Sequence, residues 1–197
     1  MTRPDDAVAR YLRALDRLGA VVDAVPAERW DAPTPCSGWS ARRLVGHLVD
    51  GQGQVLAMLA GEGPVAPVTD PEALGALAGP DPAGSWRRAH QAAVAVLDGA
   101  APGAVVATPL GPRTVEQLLG IALVEPVVHT WDLATATGGP ADLDPDAVRA
   151  LLPGVLALGG QLQATGTYGP PVPVPDDAPA QDRLLAAFGR RPRRPPA

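Results

Sequence analysis

Residues 120–134 read Gly-Ile-Ala-Leu-Val-Glu-Pro-Val-Val-His-Thr-Trp-Asp-Leu-Ala. Glu125 and His129 are four residues apart, about one helical turn, so the carboxylate and the imidazole project from one face. Glu125 is the only charged residue between Leu118 and Val128, and its stripe is otherwise apolar, which is typical of a face that turns inward. A buried carboxylate needs a cation, a metal or hydrogen bonds to compensate it. The stretch therefore predicts a helix whose Glu/His pair meets a partner, and a divalent metal completed by a histidine elsewhere would serve.

Apolar residues recur at helical spacing on both sides of this stretch, and Gly and Pro separate the periodic segments. The pattern predicts helices over residues 5–24, 40–60, 85–97 and 114–137 (kinked at Pro126), from residue 144, and over 181–188. Residues 61–84 predict a long irregular connection that could hold a short helix near Asp70, and residues 104–108 are the one strand candidate. These elements predict an all-α, up-and-down helical bundle over residues 1–165. Residues 166–197 are expected to form an extended Pro-rich strap, a short helix and a basic tail.

The composition limits the classes of function. The chain has 197 residues, of which 46% are hydrophobic and only 4% aromatic, enough for a core built mostly of Ala, Leu and Val. A net charge of −5 argues against nucleic-acid binding. The single cysteine excludes an intramolecular disulfide, the charged N-terminus does not resemble a signal peptide, and no apolar run could span a membrane. We therefore expect a soluble cytoplasmic protein, a monomer or homodimer, that binds a small molecule and neither nucleic acid nor membrane.

Only three histidines, at positions 47, 90 and 129, can complete a metal site. His47 lies on the second predicted helix, where Gly51 one turn later leaves space beside the imidazole and Gln54 adds a polar group further along. We hypothesise that Gly51 and Gly53 form the floor of a pocket, with Gln54 as a binding residue. His47, Glu125 and His129 would leave coordination positions open, which is typical of a working metal site. Zinc is the first expectation, although manganese, iron or nickel accept the same ligands. The alternative is a salt-bridged glutamate beside two ordinary histidines.

Three more residues have two interpretations each. Asp132 could orient His129 from behind, or make a structural hydrogen bond to Arg42, Arg43 or a loop amide. Cys36 could be a reactive thiol near a pocket mouth, although a small buried apolar side chain is the simpler interpretation. His90 shares an apolar face with Trp86, which favours a hydrogen-bonded core residue over a ligand.

Two segments carry a resemblance to a known family: Thr-Pro-Cys-Ser-Gly-Trp-Ser-Ala-Arg-Arg-Leu-Val-Gly-His-Leu-Val from Thr34, and Glu-Pro-Val-Val-His-Thr-Trp-Asp-Leu-Ala-Thr-Ala-Thr-Gly from Glu125. They resemble an actinobacterial metal-binding family related to the N-terminal domain of mycothiol-dependent maleylpyruvate isomerase, within the DinB-like superfamily. The tail from Tyr168 is similar as well. The resemblance implies a DinB-like four-helix bundle with a divalent metal on His47, Glu125 and His129. The chain differs in ending with a short strap and helix instead of a separate C-terminal domain.

The resemblance also suggests a function. We expect a metal-dependent enzyme that uses mycothiol or a similar thiol on a small electrophilic metabolite, by thiol transfer or thiol-assisted isomerisation, with residues 61–84 bordering the substrate. A second hypothesis keeps the metal and omits the thiol, giving a hydrolase, lyase or cyclase. A third is a non-catalytic metal- or ligand-binding module, which a fourth ligand such as His90 would indicate.

Overall fold

The computed structural model describes residues 6–164 and 168–192. The chain divides into two compact units, Met1–Asp142 and Leu143–Ala197. The predicted helix start at residue 5, the predicted boundary between residues 165 and 166, and the arginines at 193 and 194 lie outside the described residues. Within the second unit, the helix that Asp144 opens packs against the short helix near the chain end. The predicted domain boundary stays a prediction.

The first unit is built from helices, and the predicted all-α bundle is confirmed. Its helices are α1 (Ala7–Asp23), α2 (Ala41–Leu59), α3 (Pro71–Ala78), α4 (Pro82–Leu97), α5 (Val115–Ala122) and α6 (Val124–Thr137). Helix α1 packs against α4, α5 and α6, whereas α2 packs against α3, α4 and α6. Between α1 and α2, the buried Gln52 Nε2 donates to the Tyr11 hydroxyl at 2.7 Å.

Side-chain caps begin the helices at positions that the sequence indicates. Ser40 caps α2 by accepting from the backbone of Arg43, and Thr114 and Gln117 form the predicted capping box of α5. Asp81 caps α4, and Pro82 occupies its first turn, so this helix begins three residues before the predicted start at 85. A cap side chain satisfies backbone donors within three residues, so it fixes helix starts locally.

The predicted fourth helix is divided in two. Helix α5 ends at Ala122 and α6 begins at Val124, so the break lies at Leu123, one turn before Pro126. Proline has no N–H to donate to the carbonyl one turn earlier, and its ring crowds that carbonyl. The predicted kink is therefore a break that precedes the proline, and it places Glu125 in the first turn of α6.

The remaining elements of this unit are short. Strands β1 (Val105–Val106) and β2 (Arg113–Thr114) pair antiparallel, so only the middle of the predicted strand at 104–108 is regular. A 3-10 helix covers Ala27–Arg29. Residues 61–70 are irregular, as predicted, and α3 is the short helix expected near Asp70. The buried core consists mainly of Leu, Val and Ala.

The second unit contains α7 (Pro145–Leu158), α8 (Gln161–Ala164) and α9 (Ala180–Ala187). Asp144 caps α7 with Pro145 in its first turn, as predicted, and α9 agrees with the predicted helix at 181–188 to within one residue. Residues 168–179 form an irregular strap held by Val172 N donating to Ala186 O. Among the described residues, no helix combines the length and the apolar character required to cross a membrane.

Candidate metal centre

The three predicted ligands lie together where α2 meets the start of α6. His47 Nε2 is 2.8 Å from Glu125 Oε2, and His129 Nε2 is 3.2 Å from the same oxygen. The two imidazole rings are edge-to-face, with their centroids 5.3 Å apart at an angle of 87°. Both Nε2 atoms therefore point toward one carboxylate oxygen.

A local feature of the sequence sets where each predicted ligand lies along its helix. Ser40 starts α2, which brings His47 toward α6 after two turns. The break at Leu123 starts a new helix at Val124, and Glu125 and His129 then follow on one face, four residues apart. The sequence predicts the pair on α6, whereas the approach of α2 is a result of packing.

Burial and charge act in opposite directions in this cluster. Burial tends to raise the pKa of Glu125, but hydrogen bonds and positive charge from His129 and His47 hold it well below its usual range. Burial tends to lower the pKa of His129, but its contacts with Asp132, Cys36 and Glu125 raise it well above its usual value. Without a metal, the cluster is therefore a carboxylate paired with a protonated imidazole, and a cation would replace that proton.

Asp132 lies behind His129. Its Oδ2 atom is 2.9 Å from His129 Nδ1, and the side chain is fully buried. Arg42 instead pairs with Asp31 and donates to the carbonyl of Gly79, and Arg43 donates to the carbonyl of Gly38. A carboxylate that accepts the Nδ1 proton fixes the ring and leaves Nε2 available to a metal.

Cys36 belongs to the same cluster. Its thiol donates to Asp132 Oδ2 across 3.3 Å, and Sγ is 3.8 Å from His129 Nδ1. Local sequence patterns do not predict this contact, because Cys36 lies in a loop 96 residues before Asp132. The one signal in the sequence is that the thiol occurs four residues before Ser40, the cap of the helix that carries His47.

One side of the centre is open to solvent. The side chains of His47 and Glu125 are 25% and 37% exposed, whereas that of His129 is 9% exposed. The half-buried indole of Trp39 lies beside His47, with ring centroids 4.8 Å apart. At Gly51, a Cβ atom would meet nothing within 4 Å. The predicted pocket beside His47 stays a prediction.

Three other predicted residues lie elsewhere. His90 Nε2 is 3.1 Å from Asp16 Oδ1, and the ring stacks on Trp86, so His90 is not placed to close the centre as a fourth ligand. Gln54 donates to Asp50 Oδ2 at 2.7 Å and lies two turns along α2 from His47. Its role in a pocket stays a prediction. Gly53 is exposed, with open space around it, and faces solvent.

The geometry of the three side chains suits a divalent cation. One donor atom from each of His47, Glu125 and His129 lies within 4.8 Å of the others. Ligand atoms bound to one ion at about 2.0–2.2 Å are themselves roughly 3–3.5 Å apart. The observed separations of 2.8 and 3.2 Å are close to that range. Two nitrogen donors and one oxygen donor suit zinc, and they suit manganese, iron or nickel as well.

Comparison with known proteins decides the family. Residues 11–134 match the family described as the mycothiol maleylpyruvate isomerase N-terminal domain. The chain belongs to this family. The matched segment contains His47, Glu125 and His129, so the family resemblance expected from the sequence is confirmed.

A similar protein and two solved structures extend the comparison. An uncharacterized protein of Mycobacterium tuberculosis is 35% identical over 192 residues, which are 94% of this chain and 98% of that protein. The crystal structure of the mycothiol-dependent maleylpyruvate isomerase superposes with a TM-score of 0.65 at 17% identity, covering 96% of this chain and 90% of that one. A mutant of that isomerase superposes with a TM-score of 0.55 at 18% identity, covering 84% of this chain and 73% of the mutant's.

These superpositions show that the fold is shared. The expectation that the chain ends without a separate C-terminal domain stays a prediction.

Proposed function

We propose that the chain is a metal-dependent enzyme that uses a low-molecular-weight thiol of the mycothiol type to attack a small electrophilic metabolite. The reaction would be thiol transfer or thiol-assisted isomerisation. The observation that carries the proposal is the approach of His47, Glu125 and His129 to one point at 2.8 and 3.2 Å, on a face that solvent reaches. Membership of the mycothiol maleylpyruvate isomerase family supports the choice of thiol chemistry.

The side chains of the centre have separate tasks. His47, Glu125 and His129 would hold the cation, with zinc as the first candidate. A divalent cation there would lower the pKa of a bound thiol and supply a thiolate nucleophile at neutral pH. Asp132 keeps the His129 proton on Nδ1, so that Nε2 points toward the shared position.

The chain also provides surfaces for a substrate. Trp39 forms an aromatic wall beside His47, and no atom lies within 4 Å of a Cβ built at Gly51, one turn further along α2. Asp50, three residues after His47, accepts from both Gln54 Nε2 and the backbone N–H of Val68. This double contact ties residues 61–70 to α2 one turn from the centre. The position supports our proposal that this segment and Gln54 border the substrate.

Metal analysis of the purified protein tests the centre first. We expect about one divalent ion per chain, and less than a tenth of that amount in His47→Ala and His129→Ala. His90→Ala is the matched control, because it removes an imidazole of the same bundle that pairs with Asp16, and it should retain the ion. Equal metal content in all four proteins would refute the ligand assignment.

A second experiment tests the thiol. The melting temperature of the metal-loaded protein is measured with mycothiol and in thiol-free buffer. The protein is then assayed, with and without mycothiol, on a panel of electrophiles that begins with maleylpyruvate. We expect mycothiol to raise the melting temperature, and the substrate to be consumed only when thiol and metal are both present. Turnover without thiol would instead assign a metal-assisted hydrolase, lyase or cyclase.

A further inference from the structure

The Cys36 thiol, the Asp132 carboxylate and the Nδ1 edge of the His129 ring meet behind the candidate metal centre. Asp132 Oδ2 receives two contacts at once, from His129 Nδ1 at 2.9 Å and from the Cys36 thiol at 3.3 Å. Asp132 and His129 are buried, while Cys36 is partly exposed. None of the proposed roles for the three ligands uses the thiol.

The loop around Cys36 fixes the position of its backbone. The N–H of Cys36 donates to Thr34 Oγ1 at 3.2 Å, and the carbonyl of Cys36 accepts from the N–H of Trp39 at 3.0 Å. The N–H of Thr34 donates to the carbonyl of Trp39, and Pro33 pairs with Ser40 in an isolated β-bridge. The turn is therefore closed on both sides of the cysteine, and its thiol is held against Asp132.

The two donors on Asp132 Oδ2 affect each other. A buried carboxylate has no bulk water to satisfy its charge, so each donor shares that charge and restrains the rotation of the group. A residue that hydrogen-bonds to the far side of a metal ligand is called here an outer partner. Outer partners typically alter metal affinity by about 10–100-fold, because they set the orientation of the ligand ring and its electron donation to the metal. The thiol, one contact further from the ion, acts on the same carboxylate.

We propose that Cys36 is a positioning residue of the metal centre: its thiol holds Asp132 against His129 Nδ1 and so strengthens the bond between His129 Nε2 and the cation. The inference rests on the proposed function, because it needs an ion on His47, Glu125 and His129. Cys36 itself does not contact that ion.

A second metal site is the competing interpretation of the same atoms. Cys36, His129 and Asp132 each offer a ligand atom within 4.8 Å of the others. A cation on His129 Nδ1, however, would displace the proton that Asp132 accepts, while Nε2 already serves the first ion. A neutral imidazole has only one nitrogen free of a proton. The hydrogen-bonded arrangement is therefore favoured, and the ion count separates the two interpretations.

The test compares Cys36→Ala, which removes the donor, with Cys36→Ser, which replaces it with a hydroxyl. Ser37→Ala is the matched control, because Ser37 is an exposed neighbour in the same loop. Zinc affinity is measured by competition with a chromogenic chelator, and the ligand field by the visible absorption of the cobalt-substituted protein. The melting temperature of each metal-free protein shows whether the fold is intact.

We expect Cys36→Ala to bind zinc about 3–10-fold more weakly, less than the typical loss for a direct outer partner. Its cobalt bands should shift while its metal-free melting temperature stays near that of the wild type. Cys36→Ser and Ser37→Ala should remain within about twofold of wild-type affinity.

Unchanged affinity and spectrum in Cys36→Ala, with zinc still bound, would refute the positioning role alone. A wild-type protein that binds no zinc would refute the proposed function instead. Two ions per chain, falling to one in Cys36→Ala, would reassign Cys36 as a ligand of a second site.

Discussion

Gly46 lies directly against the backbone carbonyl of Leu74, so closely that a Cβ atom at position 46 would overlap that carbonyl. Gly46 is buried on α2, and Leu74 is the fully buried residue at the centre of α3. The two backbones pack in contact because residue 46 has no side chain. The next residue along α2 is His47, so this close approach of α3 also fixes the segment that carries a predicted ligand.

We predict that Gly46→Ala destabilises the protein by at least about 3 kcal/mol, because a rigid backbone carbonyl cannot move aside as a flexible side chain can. Thermal and chemical unfolding measure the loss. Gly53→Ala, on the same helix but exposed and surrounded by open space, should instead add about 0.5–1 kcal/mol of stability. Equal effects at the two positions would show that packing against Leu74 is not the cause.

The hydrogen bond from Gln52 to Tyr11 predicts a strong coupling between two buried polar side chains. Burial is the largest cause of the raised pKa of Tyr11, so the phenol stays protonated. Tyr11→Phe should cost about 1–3 kcal/mol, because it leaves the buried amide of Gln52 without its partner. The double variant with Gln52→Leu should recover much of that loss in a double-mutant cycle of unfolding free energies. Purely additive losses would argue against the pairing.

Asp132→Asn should weaken metal binding by about 10–100-fold, because the amide no longer offers His129 Nδ1–H a charged acceptor. Zinc affinity by chelator competition is the measurement. The matched control is Asp16→Asn, which alters the carboxylate beside the other helical imidazole, His90. A similar loss of affinity in both variants would indicate a general effect of charge and not an effect of orientation.

The ion pair between Glu125 and His129 in the metal-free centre predicts a pH range in which the pair stabilises the fold most. Hydrogen bonds and charge from the histidines depress the pKa of Glu125, so its stabilising effect is present above about pH 4.3, its unfolded value, and is lost as the pH falls through the folded value. The pKa of His129 is raised, so its contribution is complete below about pH 6.5 and is lost as the pH rises through the folded value.

The pair should therefore contribute most to the unfolding free energy between about pH 4.3 and 6.5. Glu125→Gln should remove the loss of stability on the acid side of this range, whereas Asp132 still raises the pKa of His129 and keeps the alkaline side. Metal binding must displace the His129 proton, so affinity should rise with pH. Calorimetry in two buffers of different ionisation enthalpy measures the released protons. A profile identical in Glu125→Gln would contradict the assignment of the pair.

The open space at Gly51 predicts that a larger side chain there reduces substrate turnover without reducing zinc binding. Gly51→Leu should fill the space beside His47 without touching the donor atoms, so zinc content should stay within about twofold while turnover of any identified substrate falls by about tenfold or more. Gly51→Ala is the smaller step and should retain most of the activity. Loss of zinc in Gly51→Leu would mean that the space belongs to the ligands instead of the substrate.

Local signals in the sequence predicted most of the helices. Ser40 and Thr114 fix helix starts through contacts within three residues, and Glu125 and His129 share a face through the helical repeat alone. The prediction was less accurate for the start of α4, which lies at Pro82, and for the break at Leu123. The cap at Asp81, with Pro82 in the first turn, starts α4 earlier, and Pro126 acts on the turn before it.

The sequence by itself determined the helical periodicity, the caps and the pairing of Glu125 with His129, because these depend on residues a few positions apart. Tertiary structure alone decided that α2 delivers His47 to that pair, that Leu74 lies on Gly46 and that Cys36 reaches Asp132, 96 residues away. Such distances depend on how side chains of separate segments fit together when they pack, and no local repeat specifies that fit.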